Sequence, residues 1–185
     1  QVEISRSDSF SVKVQADDNV QQYLDVRVAG KTLHLTLKSG EDVKYGDMTL
    51  RAQVTLPELD RVELGGNTSV KISGFKSAQP FTAKIGGNSK LRGDLEAGAT
   101  SFTVGGNSQV ELTGKAESLK AEIGGNSVGR LTNFSAGDTK VNVSGNSKLY
   151  IKAAGKVSGE VSGNSLLQYA GSPSSVDVQA LGNSR

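Results

Sequence analysis

The sequence predicts an all-β fold: a right-handed, single-stranded parallel β-helix, or solenoid, with an antiparallel β-strand region at the N-terminus. Three observations predict it. A Gly-Asn-Ser tripeptide, once Gly-Asn-Thr, recurs seven times at intervals of 18 to 21 residues, which is typical of a solenoid. Apolar and polar residues alternate on both sides of each copy, which indicates strands with one buried face. No helical periodicity is present.

The repeated tripeptide is predicted to form a corner in every coil. Its glycine adopts a positive φ without steric cost, and asparagine is the next most tolerant of that left-handed geometry. Identical amides stacked on successive coils can also hydrogen-bond to one another. We therefore interpret the asparagines as a structural turn ladder rather than as a ligand site. The ladder comprises Asn67, Asn88, Asn107, Asn126, Asn146, Asn164 and Asn183.

Each corner lies between two predicted strands. One apolar column stands three residues before each asparagine: Leu64, Ile85, Val104, Ile123, Val143, Val161 and Ala180. Another stands three residues after it: Val70, Leu91, Val110, Gly129, Leu149 and Leu167. These columns predict a thin aliphatic core shared by stacked coils. The strong right-handed preference of crossovers between parallel strands predicts the hand of the coil.

The first 60 residues follow a different pattern. Short alternating runs predict strands, and the loop Ala29-Gly30-Lys31 predicts antiparallel pairing of residues 23–28 with residues 32–38. Residues 40–46 and the acidic pair Asp17-Asp18 are predicted to lie in loops. We expect residues 1–60 to cap the solenoid and residues 61–185 to form repeats of about 19 residues.

Composition argues against several classes of function. The net charge of +2 gives no field that would attract nucleic acid, and the absence of cysteine excludes disulfides and thiolate metal sites. No apolar stretch is long enough to span a membrane as a helix. Gln1 is compatible with the start of a mature chain after removal of a signal peptide.

No catalytic residue, metal ligand or cofactor is predicted. The single histidine, His34, is expected on the outer face of a strand, and one histidine cannot build the usual multi-histidine metal sites. Three candidate calcium ligands, Asp94, Asp138 and Asp177, do not share a column. The sequence therefore favours a non-enzymatic protein.

One outward column and its neighbours lean basic. Arginine can pair with carboxylates in a bidentate manner and lysine acts as a point charge, so this surface could hold an acidic glycan or a protein partner. The alternative is a solvated outer face whose charges keep exposed strands apart. A glycan-active lyase or hydrolase and a purely structural stalk also stay open. The candidate binding face, called the basic stripe below, comprises Lys90, Arg92, Arg130, Lys148 and Tyr150.

Several segments resemble a known family, the putative autotransporter adhesins with a head GIN domain. They are residues 24–28 (Leu-Asp-Val-Arg-Val), 31–33 (Lys-Thr-Leu), 56–62 (Leu-Pro-Glu-Leu-Asp-Arg-Val) and 169–173 (Tyr-Ala-Gly-Ser-Pro), together with the glycine-rich corners. Family members often have Gly-Ser-Gly-Asp at the corners, where this chain has Gly-Gly-Asn-Ser or Ser-Gly-Asn-Ser. The resemblance implies an exported adhesin-like β-helix in the periplasm, outer membrane or cell surface of a Gram-negative bacterium.

The C-terminal end of the solenoid raises a separate question. The unpaired edge of a last coil promotes aggregation unless something protects it. We hypothesise that residues 174–185 are covered by a folded-back segment or by a second subunit, so a homo-oligomer is one of two expected arrangements.

Overall fold

The computed structural model of the chain describes residues 1–38 and 49–185. The predicted loop at residues 40–46 lies outside the described residues. The described strands are β1 (Val2–Arg6), β2 (Ser11–Ala16), β3 (Leu24–Ala29), β4 (Thr32–Leu37), β5 (Leu50–Leu56), β6 (Arg61–Leu64), β7 (Ser69–Lys76), β8 (Phe81–Ile85), β9 (Lys90–Val104), β10 (Gln109–Ile123), β11 (Val128–Val143), β12 (Lys148–Ala153), β13 (Lys156–Val161), β14 (Leu166–Gly171) and β15 (Ser175–Ala180).

The strands stack as a solenoid of about six turns. Segments that follow a corner, together with the N-terminal strands β1 and β5, form one parallel ladder in the order β14-β12-β11-β10-β9-β7-β1-β5, which we call the first ladder. Segments that precede a corner form a second ladder, β6-β8-β9-β10-β11-β13-β15. Strands β9, β10 and β11 are long enough to contribute to both. The predicted all-β solenoid is confirmed.

The core lies between the two ladders. The two apolar columns predicted beside each corner are buried through the central coils. They become more exposed only at the ends of the solenoid, where Leu64 and Leu167 are half-buried and Ala180 is exposed. Phe81, Phe102 and Phe134 are fully buried on successive coils. Their rings meet edge to face, with centroids 6.4 and 6.1 Å apart.

The N-terminal strands join this stack. Strand β1 lies in the first ladder, parallel to both β7 and β5, and β2 adds to β5 in the antiparallel direction. The predicted antiparallel hairpin is confirmed by the pairing of β3 with β4, from Leu24 with Leu37 to Ala29 with Thr32. The division of the chain into residues 1–60 and 61–185 stays a prediction.

The prediction of a loop at Asp17-Asp18 is wrong in part. Residues Asp18–Gln21 form one helical turn, α1, in which Val20 is buried and Asp17 takes the N-cap position. The backbone N–H groups of Val20 and Gln21 donate to the Asp17 carbonyl. A single turn is too short to create a helical period in the sequence, which is why the pattern did not predict it.

Residues 174–185 form the second half of the last coil. Strand β15 pairs with β13 along one edge, and no described segment pairs with its other edge. Tyr169, Val176 and Leu181 are 46%, 44% and 50% exposed at this end. What covers the end stays a prediction.

Candidate binding surfaces

The basic stripe lies on the outer surface of the first ladder. Strand registers place Arg92 directly opposite Glu111, Glu111 opposite Arg130, and Arg130 opposite Tyr150. These side chains therefore follow one another at the inter-strand spacing of about 4.8 Å. The structure brings Arg92, Arg130 and Tyr150 together in one column.

The two lysines of the stripe lie in the adjoining outward column. Lys90 stands opposite Gln109, Gln109 opposite Val128, and Val128 opposite Lys148. Three inter-strand spacings, about 14 Å, thus separate the lysine backbones. Lys90 and Lys148 therefore mark two ends of the stripe.

Charges within the stripe partly neutralise one another. Glu111 lies between the two arginines, and its Oε2 is 3.9 Å from Nε of Arg92. Burial lowers the pKa of Lys90, and the neighbouring Arg92 lowers it further, while Glu111 acts in the opposite direction. Arg130 and Lys148 have no ion-pair partner among the described residues, so they are the more available cations.

Another outward column of the first ladder carries an ion-pair network. Glu96 lies between Lys76 and Lys115 on neighbouring strands, with N to O distances of 3.1 and 3.3 Å. Hydrogen bonds from these two lysines lower the pKa of Glu96. In this column, opposite charges on neighbouring strands pair directly across the ladder.

A groove of about 510 Å³ lies on the second ladder, and it was not predicted. It crosses five strands, from β8 to β13, and is open to solvent along its length. Three lysines line it: Lys120, Lys140 and Lys156. Its polar lining also includes Thr82, Ser101, Ser118, Asp138 and Ser158.

A signal for the groove was present in the sequence. One outward column stands six residues before each asparagine, and the strand registers place its members on successive strands. The column reads Arg61, Thr82, Ser101, Lys120, Lys140, Ser158 and Asp177. Reading the outward residues before each corner, as well as those after it, would have found the adjacent pair Lys120 and Lys140.

Neither surface has the features of a metal centre. Across residues 1–38 and 49–185, no three histidine or acidic side chains converge as ligands of one ion. The helical turn in the described part of the chain falls far short of the length and apolar character needed to cross a bilayer.

Comparison with protein families identifies this architecture. Residues 1–173 match the family described as putative auto-transporter adhesin, head GIN domain. The chain belongs to this family. The resemblance inferred from the corner glycines and the N-terminal strands is thereby confirmed. Among curated proteins, no sequence match was found.

Solved structures show how widely the family's fold is shared. A putative adhesin from Bacteroides fragilis NCTC 9343 superposes with a TM-score of 0.92 at 18% identity, over 99% of this chain and 85% of that chain. A putative lipid binding protein from Parabacteroides distasonis ATCC 8503 has a TM-score of 0.73 at 17% identity, over 100% of this chain and 86% of that one. A putative adhesin from the same organism has a TM-score of 0.66 at 16% identity, over 97% and 87%. At these identities the likeness establishes the fold alone.

Proposed function

We propose that this protein is a non-enzymatic module, exported to the cell surface or envelope of a Gram-negative bacterium, that binds a glycan or protein partner on the outer face of its solenoid. The observation that carries the proposal is the basic stripe, because it places Arg130 and Lys148, which have no ion-pair partner among the described residues, beside Arg92 and Tyr150 on the outer surface of the first ladder. Family membership supports the surface role, since the family is described as adhesins.

The scaffold suits binding better than catalysis. Residues of a parallel ladder are held by backbone hydrogen bonds on both sides, so a ligand meets side chains whose Cα positions are already fixed. Most glycosidases use two cooperating carboxyl groups. Carboxylates of the stripe and the neighbouring column, Glu111 and Glu96, are instead engaged with Arg92, Lys76 and Lys115.

A glycan and matrix-protein array tests the proposal. The wild type should bind at least one ligand class, and removal of the stripe's charges should weaken that signal. The stripe variant replaces four residues with glutamine: Lys90, Arg92, Arg130 and Lys148. A control variant loses the same charge from exposed positions elsewhere, by replacing Lys13, Lys31, Arg51 and Lys84 with glutamine.

The outcomes separate the three functions. Equal binding by the wild type and the stripe variant would discard this face. A stalk would give no signal with any ligand. A glycan-active enzyme would release new reducing or unsaturated ends from a bound glycan during prolonged incubation, which a binding module would leave intact.

A further inference from the structure

We infer that the groove on the second ladder is a binding site for an extended acidic polysaccharide, a sugar chain that bears carboxylate or sulfate groups. The groove is a different surface from the basic stripe, and the inference goes beyond the proposed function because it assigns a second site and a ligand class. It is argued from the groove's charge, its hydroxyl groups and its shape.

The charge of the groove is concentrated in two lysines. Lys120 and Lys140 are directly opposite each other on β10 and β11 and both point outward. Like charges in directly opposite positions destabilise a sheet. Lys120 Nζ is 2.7 Å from Oε1 of Glu122, whereas Lys140 has no ion-pair partner among the described residues. An anionic ligand lying over both lysines would remove this repulsion.

The third lysine extends the positive surface. Lys156 lies on β13 at the end of the groove, and its Nζ is 3.8 Å from Oδ2 of Asp177. That long, exposed contact is weak, with side chains 52% and 73% accessible. Lys156 can therefore turn toward a ligand at little cost in free energy.

Hydroxyl groups complete the lining. Thr82, Ser101, Ser118 and Ser158 are half-buried, and none of their hydroxyls hydrogen-bonds to a protein group within the described residues. They remain free to donate to and accept from a ligand. A polysaccharide presents alternating hydroxyl and acidic groups along its length, which this mixture of hydroxyls and cations complements.

The shape of the groove favours a polymer. It crosses five strands, so its length is about 19 Å from four spacings of about 4.8 Å. The apolar side chains of its lining are Pro80, Ala99 and Leu119, and the threonine methyl groups and lysine stems add shallow apolar surface. An acyl chain needs a deeper apolar cavity, and a single-stranded nucleic acid needs aromatic side chains for stacking. An acidic sugar chain needs neither.

The carboxylate in the groove has a structural role. Asp138 Oδ1 accepts a hydrogen bond of 2.8 Å from the backbone N–H of Lys156. It therefore fixes the turn that leads into β13 and leaves its other oxygen for a sugar hydroxyl. The nearest other carboxylates named above, Glu122 and Asp177, pair with lysines of the groove, which supports binding rather than a two-carboxylate hydrolysis.

Binding to immobilised protein at low and high salt tests the inference, with polygalacturonate, dextran sulfate and uncharged dextran as probes. The wild type should bind a charged probe but not dextran, and the affinity should fall with salt. The double variant with Lys120→Gln and Lys140→Gln should weaken binding by about tenfold or more. This estimate takes the upper part of the free-energy range for exposed ion pairs and counts two such pairs. Lys140→Arg should retain binding, because the charge remains.

A matched control separates the site from overall charge. Lys13→Gln with Lys84→Gln removes the same two charges from exposed positions outside the groove and should bind like the wild type. Thermal melting of the groove variant should show little change in stability, because relief of the like-charge contact offsets loss of the exposed Lys120–Glu122 ion pair. Unchanged melting together with lost binding would assign the effect to the ligand site.

Four results would overturn the inference. Three of them are failure of the wild type to bind either charged probe at low salt, equal binding by the groove variant and the wild type, and equal losses in the groove and control variants. Binding of phosphatidylglycerol vesicles in place of both charged probes would assign the groove to a membrane surface and also overturn it. The stripe variant, measured in the same assay, distinguishes the two proposals, because a loss of binding in that variant concerns the stripe and not the groove.

Discussion

Two neighbouring columns at the corners of the solenoid look equally regular in sequence but differ in the structure. The asparagine of each corner is exposed, and the side chains of only one described pair meet, Asn164 Nδ2 donating to Asn146 Oδ1 at 3.0 Å. The serine that follows is buried, from 0% to 3% exposed on five successive coils. Repetition of a residue type therefore does not reveal whether its side chain hydrogen-bonds to the neighbouring coil.

The serine column forms the more continuous hydrogen-bond ladder. Ser127 Oγ accepts from the backbone N–H of Ser108 at 3.3 Å and donates to the Gly106 carbonyl at 3.3 Å. The same two bonds recur on the next coils through Ser147 and Ser165. Each serine thus satisfies a buried backbone donor of the preceding coil, which would otherwise have no partner.

The asparagine column contributes through its backbone. In every corner after the first, the asparagine N–H donates to the glycine carbonyl of the preceding coil at 2.7 to 2.9 Å. No described residue other than glycine has a positive φ, so the left-handed geometry of the corner lies at the glycine and not at the asparagine. Glycine takes the strained position because, with no side chain, it meets no steric penalty there.

The largest effect is expected at the corner glycine, which both columns depend on. Gly106 has a φ of 73°, and a Cβ placed there would collide with the carbonyl oxygen of Gly87. Gly106→Ala should therefore lower the free energy of unfolding by more than about 2 kcal/mol, the cost of left-handed geometry plus the clash. Urea denaturation followed by circular dichroism measures it.

A neighbouring glycine is the control for that substitution. Gly105 has no positive φ, and a Cβ there would meet no atom within 4 Å. Gly105→Ala should leave stability close to that of the wild type. Equal destabilisation by both substitutions would show that the corner is sensitive to any added side chain and would contradict the role assigned to the φ of Gly106.

The next largest effect tests the serine column. Ser127→Ala leaves the backbone N–H of Ser108 buried without a partner, while the Gly106 carbonyl keeps its bond from Asn126. The expected loss of stability is about 1–2 kcal/mol, toward the lower part of the range for an unsatisfied buried donor because the bonds are long. This corresponds to about 2–8 °C in melting temperature for a chain of this size. The control is Asn126→Ala in the exposed column. An equally small loss of stability in both variants would contradict the distinction between the serine and asparagine columns.

Much of the corner and core could be predicted from period-two alternation. Leu91 points inward, so the same alternation read two residues back points Ser89 inward and Asn88 outward. The burial of the serines was therefore available in the sequence, although serine's polarity argued for exposure. The hydrogen bonds of Ser89 could not be predicted, because they depend on how closely two coils approach.

The groove could be predicted only in part. Its residues lie in a regular outward column, but their chemistry changes from Ser101 to Lys120 to Ser158, so no repeat marks them as a site. Neighbouring coils approach closely near Gly98 and Gly137, positions at which a Cβ would collide with the backbone of the coil before. Such approaches, and the concavity beside them, depend on how the coils stack and could not be located from sequence.

The smallest effect separates members of the asparagine column from one another. Asn126 makes no side-chain hydrogen bond within the described residues, whereas Asn164 donates to Asn146. Asn126→Ala should therefore change stability by no more than about 0.5 kcal/mol, as for most surface substitutions. Asn164→Ala should cost slightly more, about 0.5–1 kcal/mol for one hydrogen bond, reduced by its exposure. Urea denaturation of both variants and of Asn146→Ala tests this. If Asn126→Ala lost as much stability as the other two variants, the amides would stabilise the solenoid along the whole column and not only where two of them touch.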